Sequence, residues 1–201
     1  MFEGLDGSGK STLLDAAYKE AEKMLSSAER GKYSGVVCLK EPTDLPEGKR
    51  IRELLSSAKE VSSSEWLELF LADREANVKK NIIPLKKSGN LILQDRYYYS
   101  TAAYQADSAD PEEILSINKA RGFPEPDILF YLDISPEVAF ERIVKNRDKR
   151  ECFETIHHLR KIYDNYQKIL PSSAIILDAS RSIDDILKQI ISFIFSSSSS
   201  V

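Results

Sequence analysis

The sequence predicts an α/β fold in which helices flank a central parallel sheet of five strands. Short, continuous apolar runs alternate along the chain with longer segments whose apolar residues recur at helical spacing. Continuous apolar runs are typical of strands that are buried on both faces of a parallel sheet. Because strands and helices alternate, helices are expected on both faces of the sheet, which makes a three-layer α/β/α arrangement.

The first strand is expected to be short, because only three residues precede the glycine-rich loop that begins at Gly4. The other four strands are predicted from the apolar runs at residues 36–39, 91–93, 128–132 and 174–177. Cys38 lies within one of these runs. Since the two cysteines form no CxxC pair and no metal-binding spacing, we expect both to be unbridged thiols, with Cys38 in the core.

Helices are predicted in the segments between the strands. Apolar residues keep one helical stripe over residues 13–25 and another over residues 183–194. Ser62 followed by Glu65 matches a capping box. Ser135, which a proline follows, matches an N-cap with proline at the first helical position. Both patterns predict that a helix begins there.

The length and composition predict a single domain over residues 1–195 with a flexible serine-rich tail at residues 196–201. The 28 Lys and Arg residues against 32 Asp and Glu give a net charge of −4, which argues against a nucleic-acid binder that depends on a basic surface. No apolar run approaches the ~20 residues that a membrane helix needs. Since there is also no secretion signal at the N-terminus, a cytoplasmic location is expected.

Residues 4–11 match the phosphate-loop pattern G-x-x-x-x-G-K-[ST]. In such a loop, backbone N–H groups surround phosphate oxygens at a helix N-terminus, the lysine places a positive charge near the β- and γ-phosphates, and the serine hydroxyl binds Mg²⁺. The pattern therefore predicts ATP and Mg²⁺ as ligands. The residues expected to bind the nucleotide are Gly4, Leu5, Asp6, Gly7, Ser8, Gly9, Lys10, Ser11 and Thr12.

Polar clusters follow the predicted strands, and the carboxyl ends of parallel strands meet at one edge of the sheet. Asp95 follows the third strand in the position of an acid that holds Mg²⁺ together with Ser11. Its alternative role is to cap a helix. Arg96 and Arg52 are cations in places suited to an anionic acceptor, although Arg52 could instead be a solvated helix charge.

Five cations crowd into residues 142–150, namely Arg142, Lys145, Arg147, Lys149 and Arg150. Such a run is usually a solvated face. Next to a phosphate loop, it predicts a lid over about residues 142–154 that neutralises the phosphoryl group during transfer.

The chain resembles thymidylate kinases from residue 2 to about residue 195. The most specific match is DRYYYSTAAYQ at residues 95–105, whereas the phosphate loop alone would indicate only a superfamily. The other matching segments, in the family's order and spacing, are residues 2–12, 41–42, 51–55, 70–74 and 126–133. The resemblance implies phosphoryl transfer from ATP to dTMP in a homodimer.

The resemblance also implies how the acceptor is recognised. Phe70 would stack on thymine and Arg74 would donate to a thymine carbonyl, although its helical stripe alone would place Phe70 in the core. Asp6 would contact the sugar 3′-hydroxyl, and Tyr104 would crowd the 2′ position. The other acceptor residues expected from the matching segments are Glu41, Tyr97, Ser100, Thr101 and Gln105.

Cations complete the set of residues that the resemblance implies. Arg52 and Arg96 would hold the acceptor phosphate, while Arg142 and the loop at Ala179 would lie beside adenine. Some relatives carry an arginine at the position of Gly7. The catalytic residues expected here are therefore Lys10 and Arg96, with Arg147 or Arg150 supplied by the lid.

Two other functions remain open on the sequence. A deoxynucleoside kinase would use a carboxylate such as Glu41 as a base on a 5′-hydroxyl. A catalytically weak phosphate-loop module would bind nucleotide as a switch. The presence of Lys10, Asp95 and the lid arginines argues against the switch.

Overall fold

The computed structural model describes residues 1–27, 33–57, 59–106, 109–145 and 153–196. Its sheet has five parallel strands, as the sequence predicts, and the structure arranges them in the order β2-β3-β1-β4-β5. The strands are β1 (Phe2–Gly4), β2 (Gly35–Lys40), β3 (Asn90–Asp95), β4 (Phe130–Asp133) and β5 (Ile175–Asp178). The predicted lid arginines Arg147 and Arg150, Cys152 and the end of the serine tail lie outside the described residues.

The described helices include those predicted over residues 13–25 and 183–194 and those predicted to begin after Ser62 and Ser135. They are α1 (Lys10–Ser26), α2 (Pro46–Ser56), α3 (Ser63–Asn77), α4 (Ile83–Lys87), α5 (Tyr98–Tyr104), α6 (Pro111–Ala120), α7 (Pro136–Lys145), α8 (Phe153–Ile169) and α9 (Ile183–Ser196). A π-helical turn, Val78–Ile82, joins α3 to α4. The Ser62–Glu65 capping box is formed in both directions, and the Ser135 hydroxyl accepts from the Val138 N–H.

Two groups of helices contribute most to the core. Helices α1 and α9 contact each other, and a second group is formed by α5, α6 and α8. Apolar side chains from both groups and from the central strands β1 and β4 join one hydrophobic core. Among the described helices, none combines the length and apolar character needed to cross a bilayer.

The prediction that Cys38 is a core residue is wrong. It is a free thiol and is exposed on β2. Strand β2 is one of the two edge strands, and α1 is the helix that packs mainly against it, so its two faces are not covered equally. Ile176 on β5, the other edge strand, is likewise 53% exposed. Continuous apolar runs therefore indicate burial on both faces only for the central strands.

Candidate active site

The site lies at the carboxyl ends of the strands, next to the point where the order of the strands in the sheet changes direction. Strand β1 sits between β3 and β4, so the chain leaves the centre of the sheet in one direction for β2 and β3 and in the other for β4 and β5. Ligands of open parallel sheets bind outside the strand ends at such a point. The residues that follow β1, β2 and β3 are accordingly the phosphate loop, Glu41 and Arg96.

Backbone conformation explains the glycines of the phosphate loop. Gly7 has φ 79°, and a Cβ there would lie 2.5 Å from the carbonyl oxygen of Ala139 on α7. Gly9 has φ 93° and forms the left-handed N-cap of α1. Both conformations favour glycine. Because α7 packs directly on the loop, position 7 leaves no room for the arginine that some relatives carry.

The Lys10 ammonium group is buried at the start of α1. Its Nζ donates to the carbonyls of Gly4 (2.9 Å) and Leu5 (2.8 Å), while the residue is only 6% exposed. Burial, and then the nearby charge of Arg96, lower the pKa of Lys10 to about 7. Gly4 and Leu5, which the pattern predicts to bind the nucleotide, do not line the cleft, and their carbonyls hold the lysine instead. Residues 6–12 of the predicted set do line the cleft.

Ser11 and Asp95 provide the oxygen atoms that a magnesium ion would need. The Ser11 hydroxyl lies 3.5 Å from Oδ2 of Asp95. Oδ1 of Asp95 is buried and, within the described residues, has no hydrogen-bond partner. A hydroxyl and a carboxylate with an unpartnered oxygen fit Mg²⁺, which takes hard oxygen ligands and binds through few protein groups in phosphate sites.

An open cleft of about 950 Å³ runs from the phosphate loop to Ala179 and α8. Arg142 crosses it, because its Nη2 donates to the carbonyl of Ala179 at 3.1 Å and its Nη1 to that of Gly7 at 3.5 Å. The structure therefore brings Arg142 and Ala179 together beside the loop. His158 on α8 is exposed and also lines this cleft.

A second cavity of about 230 Å³ lies beside the cleft. Every predicted acceptor residue except Arg52 lines it: Asp6, Glu41, Phe70, Arg74, Arg96, Tyr97, Ser100, Thr101, Tyr104 and Gln105. The sequence reasoning missed Pro42 and Leu55. Leu55 is 61% exposed, an apolar side chain at the cavity edge. It belongs to the matching segment 51–55, in which only Arg52 was expected to bind the acceptor.

Arg52 lies next to the cavity rather than in it. Its Nη1 donates to the carbonyls of Pro42 (2.9 Å) and Thr43 (2.6 Å), and its Nη2 donates to Asp44 at 2.9 Å. In this structure its guanidinium holds the loop after β2, which supplies one wall of the cavity.

Arg74 is held from three sides at the closed end of the cavity. Its Nη2 donates to Glu41 Oε2 (2.6 Å) and to the Thr101 hydroxyl (2.8 Å), and its Nη1 donates to Asn118 Oδ1 (2.5 Å). Arg74 is 1% exposed, and its Nε has no partner among the described residues. Burial raises the pKa of Glu41 to about 7, although Arg74 and Asn77 favour the ionised carboxylate. Asn118 was not found from the sequence.

Arg96 stands where the cleft and the cavity meet. Its Nη2 donates to Asp6 Oδ1 (2.6 Å) and to the Tyr104 hydroxyl (3.2 Å), and its Nη1 donates to the Ser100 hydroxyl (3.1 Å). The guanidinium carbon lies 4.8 Å from the centre of the Tyr104 ring, in a cation–π arrangement. Asp6, Arg96 and Tyr104 line both compartments, so the two are joined at these residues.

Comparisons with known proteins agree with this geometry. The family model "Thymidylate kinase" matches residues 2–190. A thymidylate kinase of Leptospira interrogans is 44% identical over 190 residues, which cover 94% of this chain and 89% of the relative. A probable thymidylate kinase of Archaeoglobus fulgidus is 35% identical over 188 residues, covering 94% of this chain and 90% of the relative.

A solved structure supports the fold. The thymidylate kinase of Candida albicans superposes with a TM-score of 0.75 at 24% identity, over 98% of this chain and 90% of the other. At 24% identity, this similarity shows only that the two proteins share a fold. The family match and the two relatives at 35% and 44% identity show which family the chain belongs to. The chain therefore belongs to the thymidylate kinase family.

Proposed function

We propose that this chain transfers the γ-phosphoryl group of ATP to dTMP, giving dTDP and ADP. The observation that carries the proposal is the pair of compartments joined at Asp6, Arg96 and Tyr104, one lined by a phosphate loop and the other by the predicted acceptor residues. Family membership supports the same reaction.

The acceptor is held by charge and by a buried donor. A nucleoside monophosphate is already ionised at neutral pH, so its phosphate needs cations rather than a general base, and Arg96 provides one. The unpartnered Nε of buried Arg74 is suited to donate to a base carbonyl, because a buried donor without an acceptor is unfavourable. Phe70, half-buried on the cavity wall, would stack on the base.

The donor nucleotide binds along the phosphate loop. Backbone N–H groups at the start of α1 and the Lys10 ammonium would contact its phosphates, and Arg142 with the Ala179 loop would lie beside adenine. Ser11 and Asp95 would hold Mg²⁺, which would neutralise negative charge on the phosphates. The protein's contribution is then mainly to position the groups and to stabilise the developing charge.

We also propose that the lid supplies the last catalytic cation. Position 7 is glycine and packs against α7, so a further positive charge must come from elsewhere, and Arg147 and Arg150 are the candidates. Substituting both arginines with alanine should lower kcat by about 10³ while leaving ATP-analogue affinity nearly unchanged. A double variant with wild-type kcat would show that the charged run is a solvated face.

A homodimer in the cytoplasm belongs to the same proposal. It is supported by the family resemblance, and sedimentation of the purified chain tests the oligomeric state.

A coupled ADP-release assay tests the reaction. The acceptor panel is dTMP, dUMP, UMP, CMP, AMP and thymidine, and dTMP should be the preferred acceptor. Faster turnover of thymidine would favour a nucleoside kinase, and ATP binding without turnover of any acceptor would favour a switch.

A substitution of Glu41 further distinguishes a dTMP kinase from a deoxynucleoside kinase. Glu41→Gln should leave kcat for dTMP within about tenfold, because no proton has to be removed, whereas loss of a general base costs about 10²–10⁴.

A further inference from the structure

Glu3 is a carboxylate buried at the centre of the sheet, on β1, directly before the phosphate loop. It is 0% exposed. Its Oε1 accepts from the backbone N–H groups of Tyr97 (2.8 Å) and Ser100 (3.3 Å), and its Oε2 accepts from the hydroxyls of Ser100 (2.5 Å) and Tyr166 (3.0 Å). Burial raises the pKa of Glu3, but all four contacts are donors, an arrangement that suits the ionised form.

These contacts replace a helix cap that the local sequence does not provide. The first N–H groups of a helix have no partner within the helix. At the start of α5 the N-cap is Tyr97, whose side chain makes no capping hydrogen bond. Glu3 accepts from the N–H of Ser100 instead, from a residue 97 positions earlier in the chain. Strand β1 thus caps the helix that carries three acceptor residues.

The same strand also holds the backbone turn that precedes α5. Arg96 has φ 61°, a left-handed conformation that is uncommon for a residue with a side chain. The Arg96 N–H donates to the Phe2 carbonyl at 3.0 Å, and the next N–H, that of Tyr97, donates to Glu3. Two neighbouring residues of β1 therefore hold consecutive N–H groups of this turn.

Ser100 connects Glu3 to the Arg96 guanidinium. A serine hydroxyl has one hydrogen to donate, and the contact with ionised Glu3 uses it. The hydroxyl oxygen is then left as an acceptor, and Nη1 of Arg96 lies 3.1 Å from it. Ionised Glu3 therefore polarises the Ser100 hydroxyl and makes its oxygen a stronger acceptor for Arg96.

We propose that Glu3 is a positioning residue for the acceptor site, which holds Ser100 and the Arg96–Tyr97 turn so that Arg96 presents its guanidinium to the acceptor phosphate. The inference rests on the proposed function, because it assigns Arg96 to the acceptor. Glu3 itself touches neither substrate compartment.

Steady-state kinetics of Glu3→Gln test this proposal, since glutamine keeps the shape and can still accept from the two N–H groups. The KM for dTMP should rise about tenfold, the effect of weakening one charge-assisted hydrogen bond, while the KM for ATP stays within about twofold. The matched control is Ile190→Ala, a fully buried residue of α9 that lines neither compartment. It should lower the melting temperature and leave both KM values within about twofold. Equal changes in the two KM values for Glu3→Gln would overturn the proposal.

A double variant tests whether Glu3 acts through Arg96. Adding Glu3→Gln to Arg96→Ala should change the dTMP dissociation constant by less than about twofold, because the group being positioned is already gone. If the full tenfold effect persists in that background, Glu3 does not act through Arg96.

Amide hydrogen exchange measures how stably these backbone N–H groups are hydrogen-bonded, and it does not require catalytic turnover. Exchange over residues 96–104 should accelerate in Glu3→Gln more than in the rest of the chain, and Ile190→Ala should show no such local increase. A wild-type chain that fails to phosphorylate dTMP would reject the proposed function. Unchanged exchange over residues 96–104 in Glu3→Gln would reject the role of Glu3.

Discussion

Lys10 and Arg74 are both buried cations of the site, and their partners differ in kind. The Lys10 hydrogen bonds go to backbone carbonyls and to the Ser8 hydroxyl, whereas Arg74 is paired with the Glu41 carboxylate. Burial, and then the charge of nearby Arg96, lower the pKa of Lys10 to about 7, although the carboxylates of Asp6, Asp95 and Glu3 oppose the shift. Arg74 and Glu41 form a buried ion pair. Removing one of them leaves the other without a partner in a medium of low dielectric constant.

We expect ATP binding to take up a proton at Lys10. Negative phosphates raise the pKa of the lysine above its value of about 7, so at about pH 8 binding should be accompanied by uptake of most of one proton, and at about pH 6 by little. Titration calorimetry in two buffers of different ionisation enthalpy measures this uptake. Lys10→Arg is the control, because a guanidinium stays protonated at both pH values. Equal uptake at the two pH values would contradict the assignment.

Arg74→Ala should weaken both recognition and folding. Loss of the donor to the base lowers kcat/KM for dTMP by about 2–4 kcal/mol, with ATP affinity nearly unchanged. Breaking the buried pair should lower the free energy of unfolding by about 3–5 kcal/mol, because Glu41 then has no cation beside it and must take up a proton or stay charged. Adding Glu41→Gln places a side chain there that is neutral without taking up a proton, and it should restore part of the melting temperature without restoring dTMP kinetics. An Arg74→Ala enzyme with wild-type kcat/KM for dTMP would show that Arg74 has only a structural role.

Among the elements, β1 is the shortest strand although it is central. It pairs with β4 over three residues but with β3 only through Phe2 and Asp95, whereas β2 and β3 pair over six. A cavity of about 140 Å³ lies beside its start, lined by Met1, Ile92 and Ile128 among others. The Met1 ammonium donates to the Ile128 carbonyl at 2.8 Å, and burial lowers its pKa to about 5, with Glu3 and Asp127 opposing.

Lengthening β1 by a few β-favouring residues upstream of Met1 should therefore stabilise the fold. The added residues would extend the pairing with β3 and β4 and move the charged amine away from the cavity. A gain of 1 kcal/mol corresponds to a melting temperature about 2–4 °C higher for a chain of this size. Differential scanning calorimetry of the two chains measures the shift, and equal melting temperatures would contradict the expectation.

The pH dependence provides a second comparison of these chains. An amine with a pKa of about 5 when folded and about 8 when unfolded binds more protons in the unfolded state between these values. Its contribution to the stability of the present chain should therefore rise as pH increases from 5 to 8, and the lengthened chain should lack that contribution.

At the scale of the whole molecule, the sheet edge brings two compartments into contact. The nucleotide cleft and the acceptor cavity share Asp6, Arg96 and Tyr104, which come from the phosphate loop, the end of β3 and α5. Phosphoryl transfer needs the donor and the acceptor in line at one point, and this junction is where the two ligands would meet. Helix α5, which carries Tyr104, packs against β1 and α8.

A single molecule that joins adenosine to thymidine through a chain of phosphates should therefore span both compartments. The second contact becomes intramolecular, so this compound should bind at least about 10²-fold more tightly than ATP or dTMP alone. Calorimetric dissociation constants for the three ligands measure the gain. As a control, the corresponding compound with guanosine in place of thymidine should lose most of this gain in affinity. Equal affinity for both compounds would show that the cavity does not distinguish the bases.

The sequence by itself determined those features that depend on neighbouring residues. Helix starts at Ser62 and Ser135, the phosphate loop and the apolar runs of the strands are all signals within a few positions, and each predicts its local structure. Most residues that line the second cavity could be predicted because the resemblance to the family supplies their order and spacing. Without it, Phe70 would have remained one apolar residue of a helical stripe.

Only the tertiary structure decided the features that depend on contacts between distant residues. Cys38 is exposed because β2 lies at an edge of the sheet, and local sequence patterns do not predict the strand order. The contacts of Glu3 with Tyr166 and of Arg74 with Asn118 join residues 163 and 44 positions apart. A buried polar side chain is stabilised by whichever partner the fold brings within hydrogen-bond distance, and that partner is set by packing of whole elements rather than by the residues beside it in the chain.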